Sequence, residues 1–183
     1  MEILDLRIRE AISVGIDSRA LYECLLQTYL FAGFPPALEG LRLLHETLRE
    51  LGVSWTPPDR EPFDVAGFRL RGEELYRRIY SSNHRALQQV VESFSPDMFE
   101  YMILEGYGKI LSRPGITGQQ RELSTVTALT ALGWERQVIS HARGAVNLGS
   151  EKSEVFDAIQ LAEECCTSER VRNMINAVVP HLK

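Results

Sequence analysis

The stretch TALTALGWERQVISHARGAVNLG, Thr127 to Gly149, places one histidine in the second of two apolar-periodic segments that a glycine separates. Apolar residues recur at steps of three and four positions on both sides of Gly133, as in two amphipathic helices joined by a short turn. Gly133 and Gly149 stand where these helices would end. The stretch therefore predicts a helical hairpin with His141 on its second helix.

The same periodicity runs through most of the chain, and strand patterns are nearly absent, so we predict an all-α fold. Glycines fall where helices would stop, and Pro35, Pro96 and Ser150 fall where new ones would start. The predicted helices cover residues 4–14, 18–31, 35–51, 72–80, 83–93, 96–111, 117–132, 135–148, 150–165 and 168–179.

One stretch, GVSWTPPDREPFDVAGF from Gly52 to Phe68, has three prolines and no clean period. It is either a linker or a loop that lies over a pocket. We accordingly expect an N-terminal helical half-unit over residues 1–51, a connection over 52–70 and a larger helical unit over 71–183.

A weak internal repeat relates the two ends of the chain. REAISVGIDSRALYECL, Arg9 to Leu25, aligns with RGAVNLGSEKSEVFDAI, Arg143 to Ile159, at a constant offset of 134 residues. Arginine, alanine and glycine match at three positions, and apolar positions agree. The match indicates a duplicated helix-turn-helix unit, and two unrelated amphipathic helices that share a turn are the alternative.

Composition narrows the class of protein. The chain has 183 residues, of which 44% are hydrophobic and 25% charged, as in an ordinary globular protein. A net charge of -5 argues against binding nucleic acid, because neutralising phosphates requires a basic surface. The start MEILDLRIRE is charged throughout and no segment reaches the length of a membrane span, so we expect a cytoplasmic protein without membrane contact.

Two polar residues interrupt the apolar faces of the hairpin. Glu122 shares a helical face with Val126 and Leu129, and His141 shares one with Val138 and Ala145. A buried carboxylate is costly unless it is paired, so we predict that Glu122 and His141 meet. The pair is either a satisfied core contact or a pair of groups tuned for proton transfer.

Arg143 and Arg113 are candidates for binding a carboxylate, and surface or subunit-contact arginines are the alternative. The chain has no metal-ligand spacing such as HExxH, no phosphate loop and no GxSxG, so we predict neither a metal nor a cofactor. Three cysteines without a CxxC are expected to be buried thiols.

The run from Ser112 to Ile159, SRPGITGQQRELSTVTALTALGWERQVISHARGAVNLGSEKSEVFDAI, resembles the carboxymuconolactone decarboxylase family, whose members read close to SRPGL, RxLxTLAxLxALG and HxRGAxNNG. The likeness extends upstream to Arg71. Family members usually carry a pattern like EVLLQxAxYAGxPAALEA after the histidine helix. Here that pattern stands at the N-terminus, as YECLLQTYLFAGFPPALEGL from Tyr22 to Leu41, so the order looks duplicated or permuted.

The wider superfamily includes alkyl hydroperoxidase D-like proteins, whose redox site combines a glutamate, a CxxC and a histidine. By position Glu122 and His141 match the glutamate and histidine, and the cysteines are replaced by Trp134 and Gln137. A dithiol mechanism needs both thiols, which makes peroxidase activity the least favoured reading. Thiol chemistry at Cys165 and Cys166 would support a redox function.

The resemblance implies an alkyl hydroperoxidase D-like helical bundle, a homo-oligomer (trimer or hexamer) and a cofactor-independent lyase of aromatic compound catabolism. We hypothesise a decarboxylase of a small anionic substrate, a carboxylated lactone or unsaturated acid. His141 would donate the proton, Glu122 would orient it, and Arg143 and Arg113 would bind the substrate. The alternative is a non-catalytic binding or assembly module of the same fold.

Overall fold

The computed structural model describes residues 2–182, and every regular element in that range is helical, without a strand. The fold is therefore all-α, as predicted, and matches an alkyl hydroperoxidase D-like helical bundle. The chain divides into two compact units, one ending at Phe63 and the other beginning at Asp64. Within residues 2–182 none of the helices has both the length and the apolar character needed to cross a membrane.

The first unit consists of four helices around a small core. They are α1 (Glu2–Ser13), α2 (Ser18–Gln27), the short α3 (Tyr29–Ala32) and α4 (Phe34–Glu50). Ile8, Leu44 and Leu48 are almost fully buried and form the centre of this core. A single helix was predicted where α2 and α3 stand, and the structure divides it at Thr28, whose hydroxyl donates to the Cys24 carbonyl.

The second unit carries the predicted hairpin. Its helices are α5 (Val65–Tyr80), α6 (His84–Phe94), α7 (Pro96–Tyr101), α8 (Gly118–Leu132), α9 (Glu135–Asn147), α10 (Lys152–Leu161) and α11 (Ser168–Val178). A π-helix over Met102–Leu111 continues α7, and short 3-10 turns occupy Ser81–Asn83, Ala162–Glu164 and Val179–His181.

Helices α8 and α9 form the centre of this unit. Gly133 ends α8 in the left-handed region at φ 81°, a conformation that glycine adopts without steric cost, and it turns the chain directly into α9. Helix α8 packs against α9 and α10, and α5 packs against α9 and the π-helix. The side chains that fill this core are Ile79, Val126, Leu129, Val138, Ala142, Ala145, Val155 and Ile159.

Two glycines allow the backbones of α5 and the π-helix to approach closely. A Cβ atom on Gly72 would lie 2.1 Å from the Ile103 carbonyl oxygen, and one on Gly108 would lie 2.0 Å from the Phe68 carbonyl oxygen. Neither position can accept a side chain unless the helices separate. This contact holds the first half of α5, which carries Phe68 and Gly72, against the π-helix.

The predicted boundaries differ from the structure in two places of this unit. Helix α5 begins at Val65 rather than near Gly72, because the Asp64 side chain caps it by accepting from the Gly67 backbone N–H at 3.0 Å. Residues 65–70 of the predicted connection are therefore helical. The predicted helix over 96–111 changes to π geometry at Met102, which side-chain periodicity does not distinguish from an ordinary helix.

The two segments of the predicted repeat have the same local structure. Each crosses a helix end, a glycine with positive φ and a helix start, with φ 85° at Gly15 and 102° at Gly149. Asp17 and Glu151, which align at the 134-residue offset, are the N-caps of α2 and α10. This agreement is what a duplication would produce, and duplication remains a hypothesis.

The close approach of α5 and the π-helix predicts a position-specific effect of adding a methyl group. We expect Gly72→Ala to lower the free energy of unfolding by about 1–3 kcal/mol, because its Cβ collides with backbone rather than with a movable side chain. Gly106→Ala is the matched control, since a Cβ there would meet nothing within 4 Å. Urea unfolding followed by circular dichroism measures both, and equal stabilities of the two variants would contradict the contact.

Candidate functional site

The structure brings Glu122 and His141 together. Glu122 Oε2 lies 2.9 Å from His141 Nδ1, and the two residues are 1% and 5% exposed. Helix α8 supplies the carboxylate and α9 the imidazole, across the turn at Gly133. The two polar interruptions of the apolar faces thus partner each other.

Glycine at position 144 makes room for this pair. A Cβ atom on Gly144 would lie 2.6 Å from Glu122 Oε2 and 2.7 Å from Ile79 Cγ2. Because the side chain is absent, the carboxylate lies against the backbone of α9, less than one turn from His141. The start of α8 is also well defined, since Thr117 and Gln120 form a reciprocal capping box.

The hydrogen bond determines how the imidazole is used. An ionised carboxylate can only accept, so His141 Nδ1 carries a proton and donates it to Glu122. The geometry is that of an oriented proton donor or acceptor, and equally that of a satisfied buried pair.

Two buried tyrosines lie beside the pair. The hydroxyl oxygens of Tyr80 on α5 and Tyr107 on the π-helix are 2.6 Å apart. Burial raises the pKa of Tyr80 to about 12, and repulsion from Glu122 adds to the effect, while hydrogen bonding with Tyr107 and Ser140 partly offsets it. Burial also raises the pKa of Tyr107 well above its ordinary value. Both phenols are therefore neutral at physiological pH.

An open cleft of about 290 Å³ lies between α5, α6 and α9. It has an apolar wall on α6 and a polar wall on α9, and none of its lining residues within 2–182 carries a carboxylate. The lining residues are Ile79, Tyr80, Asn83, Ala86, Leu87, Val90, Ser140, Arg143 and Asn147. Glu122 and His141 are not among them, so the acid–base pair lies behind the wall of the cleft rather than in it.

Arg143 projects into this cleft from an exposed position on α9. Within residues 2–182 its guanidinium forms no ion pair. Asn147, one turn further, donates from Nδ2 to the Ile79 carbonyl at 2.7 Å and so ties α9 to α5 at the edge of the cleft. The cleft therefore offers one cation to a ligand and no competing anion.

Arg113 lies elsewhere. It lines a second cleft of about 300 Å³, together with Arg71, Glu74 and Arg78, and its carbonyl accepts from Arg121 Nη2 at 2.8 Å. The two predicted substrate arginines thus line different clefts. The structure brings Glu122 and His141 into contact, places Arg143 in the first cleft and places Arg113 in the second.

Sequence reasoning did not identify Tyr80, Tyr107, Ser140 or Asn147. The sequence did contain a signal for Ser140 and Asn147. Together with Arg143 they follow a spacing of three and four residues, which places them on one face of α9. The tyrosines had no such signal, since aromatic residues at helical spacing are usual in a core.

The remaining candidates lie away from the pair. Trp134 is 60% exposed and Gln137 is also exposed, so the positions of the redox cysteines carry surface residues here. Cys165 is exposed and Cys166 partly so, both after α10 and in no disulfide, which corrects the expectation that these thiols are buried. Across residues 2–182, no three His, Cys, Asp or Glu side chains form a group able to hold a metal ion.

The raised pKa of Tyr80 predicts a loss of stability at alkaline pH. The native state keeps a proton that the unfolded chain releases near pH 10, so the contribution is complete below that pH and lost as the pH rises toward about 12. We expect Tyr80→Phe to flatten the fall of unfolding free energy in this range by up to about 1.4 kcal/mol per pH unit. Urea titrations from pH 9 to 11.5 measure it.

Tyr101→Phe is the control for this experiment, because Tyr101 is 61% exposed. It should leave the alkaline slope unchanged. An identical slope in wild type and Tyr80→Phe would show that the phenol titrates as it does in the unfolded chain.

Comparisons with known proteins place the chain in a family. The sequence model of the Carboxymuconolactone decarboxylase family matches residues 96–179. A 4-carboxymuconolactone decarboxylase of Acinetobacter baylyi is 30% identical over 91 residues, which cover 49% of this chain and 67% of that protein.

Two yeast proteins are also similar. Peroxisomal protein 2 of Schizosaccharomyces pombe is 24% identical over 155 residues, covering 79% of this chain and 70% of that protein. Peroxisomal protein 2 of Saccharomyces cerevisiae is 23% identical over 157 residues, covering 73% of this chain and 56% of that protein. With Glu122, His141 and Arg143 all inside the matched range, the chain belongs to the carboxymuconolactone decarboxylase family.

Proposed function

We propose that the protein is a cofactor-independent decarboxylase of a small carboxylated lactone or similar unsaturated acid. The observation that carries this proposal is that α9 carries both the imidazole of the buried Glu122–His141 pair and Arg143, which lines an open cleft. The similarity to a 4-carboxymuconolactone decarboxylase supports the choice of reaction.

The cleft suits an anionic, partly apolar ligand. Of the lining residues that the structure describes, Arg143 alone is charged, and an arginine binds a carboxylate through two parallel hydrogen bonds. Ala86, Leu87 and Val90 form an apolar wall for the carbon skeleton. A volume of about 290 Å³ is at the lower end of what small-molecule sites have, which fits a single small ring.

The reaction breaks the bond between the ring and the carboxylate that leaves as carbon dioxide. The electron pair of that bond passes into the conjugated lactone carbonyl and forms an enolate. A proton is then added at carbon, for which His141 in its imidazolium form is the source, and solvent later restores it. Glu122 holds the imidazole and stabilises its charged form. The lactone accepts the electrons, so the scheme needs neither a metal nor an organic cofactor.

A second candidate function is a binding module of the same fold. The burial of the Glu122–His141 pair favours this second function, because His141 is 5% exposed and does not line the cleft. In that case the cleft binds an anion and the Glu122–His141 pair only stabilises the hairpin. Turnover distinguishes the two functions, since binding alone does not require the imidazole.

The test is steady-state turnover of 4-carboxymuconolactone and related carboxylated lactones, followed by carbon dioxide release. We expect His141→Ala to lower kcat by about 10²–10⁴-fold, as for the loss of a general acid. Glu122→Gln should lower kcat less, because the imidazole stays in place without its counter-charge. Arg143→Gln should mainly raise KM.

Arg136→Gln is the matched control for Arg143→Gln, since Arg136 is exposed on the same helix and lies outside the cleft. It should leave KM unchanged. Unaltered turnover in folded His141→Ala protein would reject the proposed mechanism. Binding of a lactone that Arg143→Gln weakens, with no turnover in the wild type, would favour the binding module.

The assembly and location of the protein belong to the same proposal. We expect a trimer or hexamer, as the family resemblance implies, and a cytoplasmic location. Sedimentation equilibrium of the purified chain measures the first, and a monomer at micromolar concentration would contradict it.

A further inference from the structure

Tyr80 is the residue that connects the cleft to the buried interior. It lines the cleft together with Ser140 and Arg143, although it is only 8% exposed. Its hydroxyl also contacts Tyr107, which is buried and does not line the cleft. Tyr80 therefore lines the cleft, and its hydroxyl is held in place by Tyr107, a buried residue that does not line the cleft.

The arrangement leaves one proton of the tyrosine pair available to a third group. Two phenols carry two protons, and the 2.6 Å contact between their oxygens uses one of them. When Tyr107 donates to Tyr80, the Tyr80 proton is directed elsewhere, either to Ser140 or to a ligand in the cleft. Hydrogen bonds in such a chain polarise and strengthen one another, so Tyr80 becomes a better donor.

We propose that the Tyr80 hydroxyl donates a hydrogen bond to an oxyanion of the ligand whose carboxylate Arg143 binds. This inference rests on the proposed function, which places an enolate oxygen in the cleft. It also narrows the ligand to compounds that carry a carboxylate and a separate carbonyl or enolate oxygen on one small skeleton.

Tyr80 fits this task for two physical reasons. Its phenol is protonated at neutral pH, so it donates a hydrogen bond and does not act as a base. The donor is also held before the ligand arrives, because Tyr107 and the ring of Tyr76, 4.7 Å from that of Tyr80, fix its position. A fixed donor aimed at a developing charge lowers the barrier without reorganisation during the reaction.

Tyr76 provides a matched control. It lies one turn earlier on α5, is also buried, and donates its hydroxyl to the His84 carbonyl at 3.0 Å. It does not line the cleft. Both Tyr76→Phe and Tyr80→Phe remove one buried hydroxyl from the same aromatic cluster, but only Tyr80 is a residue that lines the cleft.

The first experiment measures turnover of a carboxylated lactone. We expect Tyr80→Phe to lower kcat by about 10²–10³-fold with little change in KM, as for the loss of an oxyanion donor. Tyr107→Phe should lower kcat less, because it only positions Tyr80, and Tyr76→Phe should leave kcat near the wild-type value. Equal losses in Tyr80→Phe and Tyr76→Phe would show a structural role and overturn the inference.

The second experiment needs no turnover. A nitro-substituted hydroxybenzoate carries a carboxylate and, at neutral pH, a phenolate that resembles an enolate, and its absorption spectrum reports hydrogen bonding to that oxygen. We expect Tyr80→Phe to bind it about 10- to 100-fold more weakly and to lose the spectral shift. Unsubstituted benzoate, which lacks the second oxygen, should bind both proteins alike.

The two proposals fail in different ways. If His141→Ala abolishes turnover while Tyr80→Phe has wild-type kcat and probe affinity, the inference is wrong and the proposed decarboxylase stands. If the wild type binds the probe through Tyr80 but turns over no lactone, the donor role of Tyr80 is supported and decarboxylation is rejected.

Discussion

The structure of the second unit depends on a buried carboxylate that has to be partnered. Glu122 is 1% exposed, and an ionised carboxylate at that depth is unfavourable by several kcal/mol unless opposite charge or hydrogen bonds compensate. His141 compensates it at 2.9 Å, which requires α8 and α9 to pack closely. Gly144 allows that distance, because any Cβ there would occupy the space of the carboxylate oxygen. The turn at Gly133 brings the two helices together, and the absence of a side chain at Gly144 leaves room for the pair between them.

The same helix serves two purposes because its two faces differ. Residues of α9 that face the core carry the imidazole between Val138 and Ala145, and the neighbouring face carries Ser140, Arg143 and Asn147 toward the cleft. Successive residues on a helix are about 100° apart, so His141 and Arg143 point to different sides while staying within one turn. A ligand bound at Arg143 would thus lie on a different side of α9 from His141, and the acid–base pair itself stays shielded from bulk water. Tyr80 lines the same cleft from α5.

How far the sequence predicts this arrangement depends on the range of each interaction. Glu122 and His141 were predicted to meet because both break an apolar stripe and a short turn joins their helices, so the necessary information is local. Contact between Tyr80 and Tyr107 depends on how α5 packs on the π-helix, which Gly72 and Gly108 determine through backbone contacts that periodicity does not express. The start of α5 was missed because a single side chain, Asp64, caps it within a segment rich in proline. For Arg113, a motif suggested binding, and only the tertiary structure shows that its cleft is a separate one.

Most of the residues that line the cleft lie outside the part of the chain that matches the family. Residues matched to the family begin at 96 and include the acid–base pair and Arg143. Six of the nine residues that line the cleft, Ile79, Tyr80, Asn83, Ala86, Leu87 and Val90, precede that range. Wall residues select a ligand by shape and by a few polar contacts, whereas the pair determines which proton can move. A chain can therefore keep the hairpin and its pair while α5 and α6 adapt the cleft to a different anion, which is why the ligand has to be sought through Tyr80 and the α6 wall rather than through the histidine alone.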